Sequence, residues 1–146
     1  MKKSLLALFV LVFGLTACEG PEGPAGEGMN WDVDYLTVYS NEWVEEWDGD
    51  TPYYVCVKNY PRLDNYIYEY GHVFSYYFIR YGQPEESQTL LPRYLEFLEF
   101  NPEGNHAWTE SITYDFRPGQ IVFYYQYSDF AEIQPPTEHF RIVMNW

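Results

Sequence analysis

The chain has 146 residues, with eight basic and 22 acidic side chains and a formal charge of −14. That balance argues against nucleic acid as a partner, because phosphate binding draws on clustered Lys and Arg. The length is one domain's worth, and 16 Tyr, ten Phe and five Trp beside little Ala favour pleated sheets over a helical bundle.

The N-terminus reads first. Lys2-Lys3 precede an apolar run of 11 residues, Leu5 to Leu15, and the small residues Thr16 and Ala17 follow. This is the charged, apolar, small order of a secretory signal. A spanning helix needs about 20 apolar residues, so the run is too short to cross a bilayer permanently. Leu15-Thr16-Ala17-Cys18 resembles the lipobox of bacterial lipoproteins, in which the peptide is cut before the cysteine and the cysteine carries lipid. The resemblance implies a signal peptide over residues 1–17, lipidation at Cys18, and the lipid membrane as a partner. Losing Lys2 and Lys3 then leaves six basic against 22 acidic side chains, a net −16. Such an excess keeps the surface soluble and opposes self-association, so a monomeric domain is expected. No acidic cluster has a calcium-ligand spacing.

Residues 18–30 read as a tether. Gly20, Gly23 and Gly26 recur every third residue, and Pro21 and Pro24 each follow a glycine, which is the collagen pattern. Three triplets are too few for a triple helix, so the expectation is an extended spacer about 30 Å long. A short collagen-like trimer is the alternative.

The domain is expected over residues 31–146. Alternation runs through Trp31–Tyr39, Tyr53–Lys58, His72–Tyr81, Trp108–Phe116, Ile121–Tyr127 and Phe140–Trp146. Leu91-Pro92 splits Gln88–Phe100, which reads as an edge strand with a bend. Asp48-Gly49-Asp50 and Asn101-Pro102-Glu103-Gly104-Asn105 are turns. Arg117-Pro118-Gly119 predicts a hairpin, since Pro118 presets one dihedral and Gly119 permits a positive one. Asp129 to Thr137, with Pro135-Pro136, predicts a long connection. One short helix is expected over Asn65–Tyr70, capped by Asp64, with Leu63 packing on Tyr68 and Gly71 ending it in the left-handed conformation. Seven to eight strands with at most one short helix predict an all-β antiparallel sandwich, immunoglobulin-like or related. A partly closed β-barrel is the alternative.

The residues for chemistry are sparse. There is no Gly-x-Ser-x-Gly elbow and no phosphate-cradling loop. His72, His106 and His139 lie too far apart for zinc-ligand spacing. Cys56, in Tyr-Tyr-Val-Cys-Val, reads as a buried inert thiol without a disulfide partner. Carboxylates are numerous enough to supply a glycosidase-like pair, but nothing in their order selects two. The aromatics point to binding instead. Tyr53-Tyr54, Tyr76-Tyr77, Tyr124-Tyr125 and Trp43/Trp47 put rings on both faces of their segments. A sandwich buries one face only, so outward rings either cover the sheet or meet a sugar or protein.

The whole chain resembles a group of small lipoproteins of Bacteroidota. The shared pattern is a lipobox cysteine, Gly-Pro triplets and a compact β domain. Within the domain it is carried by Trp43, Gly71-His72-Val73, Leu91-Pro92, Ile112-Thr113-Tyr114 and Phe140-Arg141-Ile142-Val143. The group has no established activity, so no catalytic residue, metal site or cofactor carries over. Acidic residues soon after the lipidated cysteine are associated with surface export in these bacteria, and Glu19 and Glu22 fit that loosely. The expected function is a non-enzymatic interaction or structural module at the cell envelope, anchored in the outer membrane, with a protein or glycan partner. A carbohydrate-binding accessory lipoprotein is the first alternative, and an envelope hydrolase is the second.

Overall fold

The computed structural model describes residues 28–146. The signal peptide over residues 1–17, the lipidated Cys18 and most of the 18–30 tether lie outside the described residues.

Nine strands follow one another: β1 (Trp31–Val38), β2 (Val44–Asp48), β3 (Thr51–Asn59), β4 (His72–Ile79), β5 (Ser87–Leu90), β6 (Arg93–Glu99), β7 (His106–Arg117), β8 (Gln120–Tyr127) and β9 (Glu138–Asn145). One helix, α1 (Asn65–Tyr70), and a 3-10 turn at Ser40–Glu42 interrupt them. The strands form two antiparallel sheets in the orders β1-β9-β4-β5 and β2-β3-β8-β7-β6, packed as a sandwich. Neither sheet closes on itself, so the barrel alternative does not hold.

Strands exceed the expected seven to eight for two reasons. All five residues of β2 are exposed, so this edge strand carries no apolar face to announce it. The bend at Leu91-Pro92 is also not a bend within one edge strand. Tyr76 of β4 pairs with Leu90 of β5, whereas Arg93 of β6 pairs with Ile112 of β7. The chain therefore crosses from one sheet to the other there, held by the Leu91 amide donating to the Ser75 carbonyl at 2.9 Å.

The turns follow the expected chemistry. Arg117 pairs with Gln120 around Pro118-Gly119, and Gly119 takes a φ of 80°. Gly49 takes 61° in the β2–β3 hairpin. The connection between β8 and β9 is stitched to the β1–β2 link. Ser40 Oγ donates to the Pro135 carbonyl at 2.7 Å, and Trp43 Nε1 donates to that of Pro136 at 3.1 Å.

α1 spans the expected residues, and the Asp64 carboxylate accepts from the Ile67 amide at 2.8 Å. Tyr68 packs edge-on against Phe116 of β7. One detail differs: Gly71 is extended, with φ −97° and ψ −177°, rather than left-handed. Space explains the glycine. A Cβ there would lie 2.8 Å from the carbonyl oxygens of both Asn145 and Ile67.

The core lies between the sheets. Phe123 of β8 stacks on Phe140 of β9, centroids 4.0 Å apart, across the sandwich. Val38, Leu63, Ile112, Ile121, Ile142 and Met144 fill the layer around them. The Tyr114 hydroxyl bridges the sheets by donating to the Val73 carbonyl at 2.8 Å.

Candidate functional site

Because side chains alternate along a strand, each aromatic doublet is divided between the faces. Tyr54 and Tyr125 point into the core, while Tyr53 and Tyr124 stand on the outer face of the five-stranded sheet. Tyr77 packs edge-on to the core residue Phe140 at 6.0 Å, and Tyr76 faces outward on the other sheet. Trp43 is buried and Trp47 is exposed. No doublet acts as a unit.

Three of the outward rings, Trp47, Tyr53 and Tyr124, border an open groove of about 520 Å³ across the five-stranded sheet. Trp47 and Asp48 of edge strand β2 close one end, and Tyr94 of edge strand β6 closes the other. Tyr53 and Tyr124 line it from β3 and β8, their centroids 6.3 Å apart. The floor between is polar: Ser111 and Thr113 of β7 and Gln126 of β8. The register explains why they meet. Tyr94 lies opposite Ser111, Ser111 opposite Gln126, and Thr113 opposite Tyr124. Sequence reasoning missed Tyr94, Ser111, Thr113 and Gln126. The available signal was the polar phase of β7, Thr109-Ser111-Thr113, which marks an outward face covered by hydroxyls rather than by bulk.

The groove is electronegative. The Tyr53 hydroxyl donates to Glu46 Oε2 at 2.9 Å, and that hydrogen bond raises the Tyr53 pKa. Burial, reinforced by Asp115, raises that of Tyr124. Both phenols therefore stay protonated donors, and among the described residues no Lys or Arg lines the groove. A smaller groove of about 400 Å³ adjoins it through Tyr124 and contains Tyr68, Asp115 and Arg117.

A second polar group lies inside the sandwich. Glu138, at the start of β9, is 8% exposed, and burial lifts its carboxyl to about 7 against the opposing pull of Tyr77 and Arg93. Glu110 accepts from the Tyr125 hydroxyl at 2.7 Å. The Arg93 guanidinium sits over the Tyr77 ring, 4.6 Å from its centroid. Two carboxylates with separated environments have the composition of an acid–base pair. Neither lines the groove, and their partners are core aromatics, so the geometry is that of a satisfied interior network.

The histidines occupy separate places. His106 meets Asp129 at 2.8 Å, His139 accepts or donates to Thr37 Oγ1 at 3.0 Å, and His72 stacks near Phe74. Among the described residues, no three His, Cys, Asp or Glu side chains converge as a metal site. Cys56 is buried and unpaired, and burial pushes its thiol upward.

No family model matches the chain, and neither a curated protein nor a solved structure matches it. The fold defines its class as a two-sheet antiparallel β-sandwich, and the site is an open aromatic groove on one outer face.

Proposed function

We propose that the protein is a lipoprotein of the bacterial cell envelope, akin to the small Bacteroidota lipoproteins. It is anchored in the outer membrane through acylated Cys18 and serves as a non-catalytic binding module for neutral glycans. One observation carries the ligand: a groove with Tyr rings at its walls and hydroxyl and amide groups on its floor. Aromatic faces stack on the apolar C–H faces of sugars, and Ser, Thr, Gln and Tyr groups exchange hydrogen bonds with their hydroxyls. Asp48 in the groove accepts from sugar hydroxyls, and with Glu46, which accepts from the Tyr53 hydroxyl, it repels anionic polymers. The groove requires no cofactor for this work.

Calorimetric titration of the chain from Cys18 onward with neutral β-glucan, xylan, mannan and chitin fragments tests the reading. At least one should bind, and Tyr94→Ala should weaken it. Absence of binding to all four would sink the glycan assignment. Release of new reducing ends that Glu110→Gln abolishes would sink the non-catalytic assignment. Labelling with a fatty-acid analogue tests the anchor, since Cys18→Ser should lose the label.

A further inference from the structure

The outer face of the other sheet differs sharply from the groove. In the register of β1, β9, β4 and β5, no Asp or Glu falls on an outward position. Elsewhere the chain is crowded with 22 acids. The outward positions carry Trp31, Val33, Tyr35, Phe74, Tyr76 and Leu90. Trp31 is 63% exposed, Tyr35 62% and Leu90 46%. Asp32 and Asp34 of β1 fall on the opposite face, where both pair with Arg62, and Glu86 in the β4–β5 turn accepts from the Gly82 amide at 2.8 Å.

The charge on this face is positive and unanswered. Arg141, in the middle of β9, lies over the Tyr76 ring at 5.7 Å and donates to Gln88 Oε1 at 3.3 Å. Its Nε is buried without a hydrogen-bond partner. Among the described residues, Arg141 makes no ion pair. His72 and His139 stand outward at opposite ends of the face.

We propose that this face lies on an anionic phospholipid bilayer. The proposal rests on the lipoprotein reading for its tether. Trp and Tyr favour the headgroup level, where the ring is apolar on one side and its polar tip is wet. A stacked guanidinium whose outer nitrogens meet no carboxylate among the described residues suits a lipid phosphate. The acidic remainder of the surface is repelled by the same bilayer, so one orientation is selected. The chain path agrees. Trp31 opens β1 on this face, and it follows Cys18 by 13 residues, a reach of at most about 45 Å. Tethering at that distance turns a weak surface affinity into a populated docked state. The groove on the opposite sheet then faces away from the membrane.

The test couples the chain from Cys18 onward to a maleimide lipid through Cys18. The vesicles contain phosphatidylethanolamine, phosphatidylglycerol and a brominated phospholipid. Tryptophan fluorescence should be quenched, and most of the quenching should vanish in Trp31→Phe. Tyr35→Glu should abolish it, and Leu90→Glu on the far edge provides an independent variant if Tyr35→Glu fails to fold by near-ultraviolet circular dichroism. No quenching, or quenching that survives Trp31→Phe and is lost in Trp47→Phe, would overturn the proposal. Equal quenching without phosphatidylglycerol would overturn the role of Arg141. A dimer of the uncoupled chain in light scattering that Tyr35→Glu dissolves would assign the face to a second copy instead. Chemical coupling replaces natural acylation, so failure of fatty-acid labelling in cells would remove the anchor reading and leave the quenching result standing.

Discussion

Gly71 ends α1 against the backbone of Asn145, so closely that a Cβ would stand 2.8 Å from the Asn145 carbonyl oxygen. Asn145 pairs with both His72 and Trp31, so the contact ties the helix end to the central strand of the four-stranded sheet. A glycine with an ordinary negative φ usually gains about 0.4–1 kcal/mol on replacement by Ala, because the unfolded chain loses freedom. Here the clash should dominate, and Gly71→Ala should destabilise by about 1–3 kcal/mol. Urea denaturation reads this directly. An unchanged or raised midpoint would show that the strand end shifts freely.

The other end of α1 makes a separate prediction. Asp64 accepts from the Ile67 amide, and Asp64→Ala should lower stability by about 1 kcal/mol. Asp64→Asn should retain most of it, and equal loss in both variants would place the effect in the charge rather than the cap.

Glu138 gives the domain a pH signature. Its folded carboxyl is raised from 4.5 to about 7, chiefly by burial. The folded state therefore binds this proton more tightly than the unfolded state. Stability from this group is complete below pH 4.5 and falls as pH rises to about 7, by roughly 3 kcal/mol at most. Glu138→Gln should flatten that part of the profile and gain more relative to wild type at pH 8 than at pH 4. Parallel stability curves for the two chains across this range would contradict the assignment.

In the groove, Tyr94→Ala should weaken glycan binding by about 0.5–1.5 kcal/mol, the scale of one aromatic contact. Tyr94 is 64% exposed, so its removal should shift the unfolding midpoint little. Loss of binding with an equal loss of stability would mean that Tyr94 supports the sheet and not the ligand.

Cys56 should react with a thiol reagent only as the domain unfolds, since its sulfur is buried and its thiolate disfavoured. Rapid modification in the absence of denaturant would refute this.

The strands were legible wherever one face is buried. β1, β3, β7 and β8 alternate because they have a core side, and the Pro118-Gly119 hairpin announces itself through turn chemistry. β2 was illegible because Val-Glu-Glu-Trp-Asp is exposed throughout and is held by backbone pairing to β3. The passage between sheets at Leu91-Pro92 was visible as an interruption, but its destination depends on pairing partners distant in sequence. The groove was half legible for the same reason. Tyr53 and Tyr124 carry a local signal, whereas the meeting of Tyr94, Ser111 and Gln126 is a matter of register across three strands. Glu138 and Arg93 gave no warning at all, since a lone charged residue at a strand start is ordinarily solvated.

The position of β9 sets the order of assembly. Among the described residues β1 has β9 as its only neighbour in the sheet, and β4 leans on the opposite edge of the same strand. Trp31–Val38 must therefore wait, without a ladder partner, until Glu138–Asn145 has been synthesised and delivered. Pairing so distant in sequence is slow to form. In a chain built this way the four-stranded layer closes only after the final strand has left the ribosome.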